Sequence, residues 1–501
     1  MVTLAKLPNT LYSAKEVREL DRIAIQDFGI PGSVLMDRAG FSSFQAMRQQ
    51  WPNARYIRIL CGIGNNGGDG FVIARYAKQA GFNVKVYTVG ETSRLTGDAR
   101  GAFEAMLSTG VTPEAFQAGA LDNADVVVDA LFGTGLDREI TGPWAEAIEA
   151  INRSSSPTLA VDIPSGLHSD TGRVLGYATR ADLTVTFIGL KQGMFTGKGR
   201  DLCGDLLFDD LDVPDQVYQR FKPGARRIDY DTEQYHLTSR ARSAHKGDFG
   251  HVLVIGGDTG FAGAVKMAGE AAARVGAGLV SIATRRIHAA IIGIGCPELM
   301  CHGIETTTDL DGLLTRATVL AIGPGLGQSP WGRGMIESVI QTDLPLIIDA
   351  DGLNLLAASP YEFNNHRGGQ VLTPHPGEAG RLLNCTTAEI QEDRFKAVRD
   401  LVTRFGGTAI LKGSGTLIFD EGADLCVASD GNPGMATGGM GDVLTGVIAG
   451  LMAQGMTIPD AARLGVCLHG RAADMEANSG ERGMLAGDLM PRLRGLVNPY
   501  P

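Results

Sequence analysis

Short apolar runs rich in β-branched residues alternate with longer helical stretches over the first 210 residues. These runs carry few polar residues in alternate positions, as expected of strands covered by helices on both faces. They are YIRIL at 56–60, VKVYTV at 84–89, DVVVDA at 125–130, TLAVDI at 158–163 and DLTVTFI at 182–188. A helix is predicted before them, from Ser13 to Asp27, because Ser13 and Glu16 have the spacing of a capping box. The pattern predicts an α/β domain with a parallel sheet.

A second series of the same kind follows residue 250. Its strands are predicted at HVLVIGG 251–257, GLVSIAT 278–284, TVLAIGPG 318–325, PLIIDADG 345–352, QVLTPHPGE 370–378 and TAILKGSG 408–415. Residues 209–236 between the two series have no apolar period, two prolines and many charges, which is typical of a domain junction. We therefore predict one domain over 1–212, a linker over 213–235 and a second domain over 236–501. The two series share no evident sequence period, so no internal repeat is inferred.

Composition narrows the class of protein. The net charge of −11 argues against a nucleic-acid binder, and no apolar stretch approaches the length of a membrane span. The seven cysteines are scattered without a CxxC pair, which argues against a zinc site and favours free thiols. The N-terminal residues lack the apolar core of a signal peptide, so a cytoplasmic location is expected. The 68 glycines are about twice the usual share and indicate loops where the backbone approaches a ligand.

The first glycine-rich loop follows the strand at 56–60. Gly62, Gly64 and Gly67 fit the pattern G-x-G-x-x-G between a strand and a helix, where helix N–H groups can bind an anion. A dehydrogenase is one interpretation, but the acid that it needs about 20 residues later is matched only by Glu91. The asparagines and the aspartate within the loop instead offer oxygens to a hard cation. A tight turn of small residues is the remaining alternative.

Two further predicted strands end in aspartate. Asp129 closes DVVVDA, and Asp162 closes TLAVDI three residues before Ser165. Ligands of parallel sheets collect outside the carboxyl ends of the strands, so these side chains are predicted to meet the glycine-rich loop in one crevice. Each aspartate alone could be a helix cap, but three polar strand ends together favour a ligand site.

The strongest local signal is the segment NPGMATGGMGD at 432–442, followed by the apolar helical run VLTGVIAGLMAQG. Gly438, Gly439 and Gly441 leave backbone N–H groups bare at the positive end of this helix, which makes an anion hole for a phosphoryl group. Asp442 could then accept the proton of a substrate hydroxyl. The alternative is an aspartate cap behind a flexible loop. The chain has no G-x-x-x-x-G-K-[ST], so a P-loop kinase is disfavoured.

Several motifs of the first half resemble the NAD(P)H-hydrate epimerase family. They are LDRIAIQDFGIPGSVLMDRAG at 20–40, GNNGGDGFVIAR at 64–75, DALFGTGL at 129–136 and VDIPSGL at 161–167. The resemblance implies Asp162 as the acid–base group and a potassium ion held by Asn66, Asp129 and Ser165. The residues that it implies for the hydrated dinucleotide are Asn65, Asn66, Gly67, Gly68, Asp69, Gly133, Thr134, Gly135, Leu136, Asp137, Arg138, Glu139 and Asp162.

The second half resembles the ribokinase-like superfamily, and within it the ADP-dependent NAD(P)H-hydrate dehydratases. The motifs are HKGDFGHVLVIGGDTGFAGA at 245–264, AARVGAGLV at 272–280, GPGLG at 323–327, DADGLN at 349–354, LTPHPGE at 372–378 and LKGSGT at 411–416. The residues implied for the hydrated dinucleotide are Ala264, Gly327, His375 and Asp442; those implied for the adenine nucleotide are Lys412, Gly413, Ser414, Gly415, Thr416 and Gly441. His375 could also be only a rigid-loop histidine, and a ribokinase-type kinase for a vitamin or sugar would have the same anion hole.

The two resemblances together imply a Rossmann-like α/β/α domain followed by a ribokinase-like α/β/α domain, and one chemical pathway. The first would epimerise hydrated NADH and NADPH. The second would dehydrate the S form with ADP and Mg²⁺, giving AMP and phosphate. A dinucleotide sensor or scaffold is the non-enzymatic alternative. The preference between ADP and ATP and the oligomeric state, a homo-oligomer included, stay open.

Overall fold

A computed structural model describes residues 7–117, 119–358 and 366–499, and the chain divides into two compact units between Arg226 and Arg227. Among the described residues, no helix is both long and apolar enough to cross a membrane.

The first unit is built on a parallel sheet of the order β4-β3-β2-β5-β6-β7-β9. The strands of this unit are β1 Thr10–Tyr12, β2 Tyr56–Cys61, β3 Asn83–Thr88, β4 Glu114–Ala115, β5 Val126–Ala130, β6 Thr158–Val161, β7 Leu183–Phe187, β8 Leu190–Lys191 and β9 Asp205–Asp209. Its helices are α1 Ala14–Gln26, α2 Gly32–Gln50, α3 Asn65–Gln79, α4 Gly97–Leu107, α5 Pro143–Arg153, α6 Gly199–Leu202 and α7 Asp215–Gln219. The predicted capping box of α1 is confirmed, with Ser13 and Glu16 each accepting a backbone N–H of the other.

The chain passes from the first unit to the second within β10, Ala225–Ile228. The other strands of the second unit are β11 His251–Ile255, β12 Leu279–Thr284, β13 Met300–Gly303, β14 Val319–Ile322, β15 Leu346–Ile348, β16 Gln370–Leu372, β17 Thr408–Leu411, β18 Leu417–Asp420 and β19 Leu425–Ala428. Its helices are α8 Tyr230–Glu233, α9 Ala262–Arg274, α10 Arg286–Gly295, α11 Asp311–Leu314, α12 Pro330–Val339, α13 Ala350–Ala358, α14 Pro376–Leu383, α15 Thr387–Glu392, α16 Arg394–Phe405, α17 Met440–Ala453, α18 Ile458–Ala477 and α19 Met490–Leu496.

Strands β13-β12-β11-β14-β15-β16-β17 of the second unit are parallel neighbours, and β18 and β19 continue the sheet in antiparallel pairs. Helices α9, α17 and α18 supply much of the apolar core beside this sheet. Every strand predicted for the two series is present. The order of the strands reverses at a switch point in each sheet, between β2 and β5 in the first unit and between β11 and β14 in the second. Ligand crevices are expected at these points.

The segment predicted as a solvated linker, 213–235, is instead packed. Val217 of α7 is fully buried in the core of the first unit, and the Tyr218 hydroxyl donates to the Ile188 carbonyl at 2.9 Å. Tyr230 of α8 is buried in the second unit, where its hydroxyl donates to the Leu496 carbonyl at 2.6 Å. The prediction failed because a few apolar and aromatic anchors are enough to bury a segment whose average composition is polar.

We predict that a fragment ending at Arg226 melts at a higher temperature than one ending at Asp212, as measured by circular dichroism. The shorter fragment lacks Val217, whose burial alone contributes about 1.5–3 kcal/mol. A fragment ending at Lys222 keeps α7 and lacks β10, so it separates the two contributions. Equal melting of the fragments that end at residues 212 and 226 would show that the segment is a linker after all.

Candidate active sites

A cavity of about 590 Å³ lies in the first unit, with the loops that follow β2, β5 and β6 in its wall. Most of the residues predicted for the first site line it: Asn65, Asn66, Asp69, Gly133, Thr134, Gly135, Leu136, Asp137, Arg138 and Asp162. Gly67, Gly68 and Glu139 are not among its described lining residues. The two glycines have a packing role, because a Cβ at Gly67 would overlap the Gly62 carbonyl and one at Gly68 would press on Met36.

Asp162 is held in an uncommon backbone conformation at the wall of this cavity. Its φ is +70°, in the left-handed region that non-glycine residues rarely adopt. One carboxylate oxygen, Oδ1, accepts a hydrogen bond from the Nζ of Lys191. The other, Oδ2, faces Gly133 and would lie 3.2 Å from a Cβ at that position. The strained backbone therefore aims one oxygen at a buried cation and the other at the loop that lines the cavity.

Asp129 and Ser165 form a hydrogen-bonded pair behind the cavity. The Ser165 hydroxyl donates to Asp129 Oδ1 at 2.6 Å, and the Ser165 N–H donates to Oδ2 at 2.9 Å. Burial raises the pKa of Asp129 in spite of these bonds. Asn66 lies in the first turn of α3, shortly after β2. Its side chain is buried, and neither the oxygen nor the nitrogen of its amide has a hydrogen-bond partner among the described residues. Because β2, β5 and β6 are adjacent, the three predicted strand ends do share one edge of the sheet.

Two charged residues of this site were not predicted from the sequence. Asp21 lines the cavity from α1, and fully buried Lys191 lies behind Asp162. A signal for each is present in retrospect. Asp21 stands four residues after Val17, which faces the same cavity, and an acid on the buried face of a helix is uncommon. Lys191 follows closely on the apolar strand β7, where a lysine has no water-facing role.

In the second unit, Gly439 is the residue directly before α17 and has a φ of +92°, and Asp442 lies in the first turn of this helix. Its carboxylate caps nothing and accepts no hydrogen bond from a described residue, so the interpretation of Asp442 as a helix cap is wrong. Burial raises the pKa of Asp442 to about 7, assisted by the negative charge of Asp349 and opposed by Lys412. A carboxylate with this pKa at a helix N-terminus is suited to general base catalysis near neutral pH.

Lys412 connects the predicted nucleotide loop to this helix. Its Nζ donates to Asp349 Oδ1 at 2.7 Å, and a Cβ at Gly441 would lie 3.3 Å from the same Nζ. Asp349 also accepts from the hydroxyls of Thr373 at 2.7 Å and Thr445 at 2.9 Å. Burial would raise the pKa of Asp349, but Lys412 and the two hydroxyls outweigh it and lower the pKa. Asp349 belongs to the motif DADGLN, but its bonds to Lys412, Thr373 and Thr445 were not predicted from the sequence.

The remaining predicted residues follow neighbouring strands of the second sheet. Ala264 follows β11, Gly327 follows β14, His375 follows β16 and the loop Lys412–Thr416 follows β17. The Gly327 N–H donates to Asp351 Oδ2 at 3.0 Å. Arg394, also missed, is buried beneath the loop and donates to the carbonyls of Leu411, Lys412 and Gly415.

His375 is fixed at the start of α14, as expected of a rigid-loop histidine, and its contact with the hydrated dinucleotide stays a prediction. It caps α14, with Nδ1 accepting the N–H of Gly377 at 2.9 Å, while its Nε2 lies 3.4 Å from Glu378 Oε1. Burial and the charge of Lys412 lower the pKa of His375, so the ring is neutral at pH 7. Burial raises the pKa of Glu378 to about 7. A larger cavity of about 1150 Å³ at the opposite end of α17, near Leu451, contains none of the predicted residues.

The chain matches two protein-family models. One, described as NAD(P)H-hydrate dehydratase, matches residues 252–494, and the other, described as YjeF-related protein N-terminus, matches residues 32–193. The bifunctional NAD(P)H-hydrate repair enzyme Nnr of Coxiella burnetii is 48% identical over 98% of this chain and 99% of its own length. The enzyme of that name from Escherichia coli is 43% identical over 98% of this chain and 95% of its own length. The chain belongs to the family of bifunctional NAD(P)H-hydrate repair enzymes.

A solved structure agrees with the fold predicted for this repair-enzyme chain. A ribokinase-like superfamily protein from Enterococcus faecalis superposes with a TM-score of 0.51 at 30% identity, covering 56% of this chain and 98% of its own. The prediction of a two-domain α/β protein with a ribokinase-like domain is confirmed.

The backbones of Gly62 and Leu131 approach each other closely at the first switch point, so we expect that Gly62 cannot be replaced without cost. We predict that Gly62→Ala destabilises the first unit by more than the roughly 1–3 kcal/mol typical of overpacking, because a Cβ there would overlap the Leu131 carbonyl. Gly64→Ala is the matched control, since a Cβ at Gly64 meets nothing within 4 Å. Thermal denaturation measures both variants, and equal midpoints would contradict the close approach.

Proposed function

We propose that the protein repairs hydrated NADH and NADPH in two steps. The first unit interconverts the R and S epimers of the hydrate, and the second dehydrates the S form with ADP, giving AMP and phosphate. The observation that carries this proposal is the match of one chain to both family models. Each unit also has a candidate acid–base group: Asp162 in the wall of the first cavity and Asp442 in the first turn of α17. Incubation of hydrated NADH with the protein and each nucleotide, followed by absorbance of the reduced ring and formation of AMP, tests it.

In the first unit we assign acid–base chemistry to Asp162, beside the loops 65–69 and 133–139 that would hold the hydrated dinucleotide. Asn66, Asp129 and Ser165 would hold a potassium ion. The orphaned amide of Asn66 supports this assignment, because a buried amide oxygen without a donor suits a hard cation. The ion would supply a fixed positive charge close to the substrate.

In the second unit Asp442 removes the proton of the ring hydroxyl. The hydroxyl oxygen then bonds to the terminal phosphorus of ADP, and the bond from that phosphorus to the bridging oxygen breaks as AMP leaves. Elimination of phosphate with a proton from the adjacent ring carbon restores the double bond. Lys412–Thr416 and Gly441 hold the nucleotide, and the N–H groups at the start of α17 stabilise the transferring phosphoryl group.

Ala264, Gly327 and His375 are assigned to the hydrated dinucleotide. Mg²⁺ would neutralise charge on the nucleotide phosphates. Among the described residues, no group of three or more His, Cys, Asp or Glu side chains is placed to hold a metal ion. We therefore expect the ion to be bound chiefly by phosphate and water.

Asp442→Asn should lower the dehydration rate by about 10²–10⁴-fold while nucleotide binding is kept, since an amide cannot accept the proton. A base works only when ionised, so wild-type kcat should fall as pH drops through about 7, the raised pKa of Asp442. The pKa of Glu378 is also raised to about 7. The fall in kcat can therefore be assigned to Asp442 only if the Asp442→Asn variant no longer shows it. The control is Asp311→Asn, at the exposed start of α11. Turnover near the wild-type rate in Asp442→Asn would exclude the mechanism.

The two activities should be separable by point variants of the full chain. With ADP present, Asp162→Asn should consume the S form and stall on the R form, seen by chromatography of the two epimers. Addition of the Asp442→Asn protein, whose first unit is intact, should then carry the reaction to completion. If Asp162→Asn consumes both epimers as fast as wild type, Asp162 is not the epimerase group.

A further inference from the structure

The first cavity contains more acid–base groups than a single aspartate accounts for. Five carboxylates line it, and three of them interact electrostatically with one another: Asp21 from α1, Asp69 from α3 and Asp162 after β6. One ammonium group, that of Lys191, lies among them and acts on the pKa values of both Asp21 and Asp69. Three carboxylates and one buried cation cannot all be charged at low cost, so the cluster favours holding a proton.

Lys191 is bonded to one carboxylate of this cluster. Its Nζ donates to Asp162 Oδ1, to the Thr186 hydroxyl at 2.8 Å and to the Phe187 carbonyl at 3.1 Å. An ammonium group has three N–H donors, so none is left for a substrate. Lys191 is also fully buried. It is therefore a positioning residue that holds Asp162 Oδ1 and leaves Oδ2 of that residue facing the cavity beside Gly133.

The surroundings of Asp21 and Asp69 differ from those of Asp162, because neither carboxylate is bonded to Lys191. Neither carboxylate accepts a hydrogen bond from a described residue, and Lys191 contacts only Asp162 of the three. Burial raises the pKa of Asp69 well above its usual value, and the charges of Asp162 and Asp21 add to the effect. Burial likewise raises the pKa of Asp21 to about 6. The charged groups that line the cavity or lie directly behind it are Arg18, Asp21, Asp69, Asp98, Asp137, Arg138, Asp162 and Lys191.

Inversion of the hydrated ring carbon calls for two such groups. That carbon bears the hydroxyl and is bonded to the ring nitrogen. The ring opens when a base takes the hydroxyl proton, the carbon–oxygen double bond forms, and the carbon–nitrogen bond breaks. The electron pair of the broken bond goes to nitrogen, which takes a proton from an acid. Rotation of the aldehyde and reversal of these steps closes the ring on the other face, returns both protons and consumes no co-reactant.

We propose that Asp162 Oδ2 is the base and Asp69 the acid of this ring opening, with Lys191 holding Asp162 in place and Asp21 lying beside them in the wall of the cavity. The proposal rests on the epimerase function proposed above. It assigns roles to Asp21 and Lys191, and a catalytic rather than a binding role to Asp69.

The test follows epimer interconversion by full-length protein without nucleotide, so that dehydration is idle. The rate should fall at high pH as Asp69, whose pKa burial raises, ionises. Asp69→Asn should lower kcat by about 10²–10⁴-fold with KM little changed, because an amide binds but cannot transfer the proton. Asp21→Asn removes a neighbouring negative charge, which lowers the pKa of Asp69, so the alkaline limb should move to lower pH. Glu19→Gln, on the exposed face of the same helix, is the control.

Lys191→Met should lower kcat with KM little changed, because Asp162 Oδ1 loses its hydrogen-bond donor and Oδ2 is no longer held towards the cavity. Lys191→Arg keeps a donor and a positive charge, and it should restore part of the rate if the methionine variant does not fold. Lys198→Met is the control for an exposed lysine. In ¹⁸O-labelled water, ring opening should invert the centre with less than one oxygen incorporated per event.

Full incorporation of labelled oxygen at each inversion would overturn ring opening. With an active wild type, an alkaline limb unmoved in Asp21→Asn would overturn the role of Asp21. A wild-type kcat in Lys191→Met, or a folded but inactive Lys191→Arg, would overturn the role of Lys191. A wild-type protein that does not interconvert the epimers would instead overturn the epimerase function itself.

Discussion

Each unit contains a lysine paired with an aspartate at the end of a parallel strand. In the first unit the pair is Lys191 and Asp162, and in the second it is Lys412 and Asp349. Removing one partner of a buried pair costs about 3–5 kcal/mol, so each pair fixes its charges firmly. Burial raises the pKa of the carboxylates around them, and these charges add to that effect or oppose it. In the first unit the paired aspartate itself faces the cavity, whereas in the second it lies behind Asp442 and helps to raise the pKa of that residue.

Backbone proximity marks the switch point of each sheet. A Cβ at Gly62 would overlap the Leu131 carbonyl, and one at Gly256 would overlap the Pro324 carbonyl, so each sheet brings two strand ends into direct contact there. The loops that leave these strands diverge only afterwards, which opens a crevice lined by the following residues. Glycine at the contact is thus a requirement of the sheet.

The sequence predicted the strands, the order of the domains and ten of the residues that line the first cavity, because parallel strands and glycine-rich turns have strong local patterns. It missed Asp21, Lys191, Asp349 and Arg394, whose roles depend on partners far away in the chain. Lys191 meets Asp162 across 29 residues, and Lys412 meets Asp349 across 63. It also mistook 213–235 for a linker, since average polarity hides a few buried apolar and aromatic residues. Periodicity reports which face of an element is buried, but not which buried charges find each other.

The overall charge of the protein is no guide to the ligands of its sites. A net charge of −11 should repel dinucleotides and ADP, yet both crevices open on a helix N-terminus, that of α3 at Asn65 and that of α17 at Met440. Unpaired N–H groups at such ends bind anions over a short range without any net positive charge. In the second unit Lys412 lies beside this end of α17, and burial raises the pKa of the neighbouring Asp442 to about 7. In the first unit Lys191 donates to Asp162, Thr186 and Phe187, and none of its donors is left for the cavity. In the proposed mechanism, the same fold element thus serves phosphoryl transfer in one unit and proton transfer in the other.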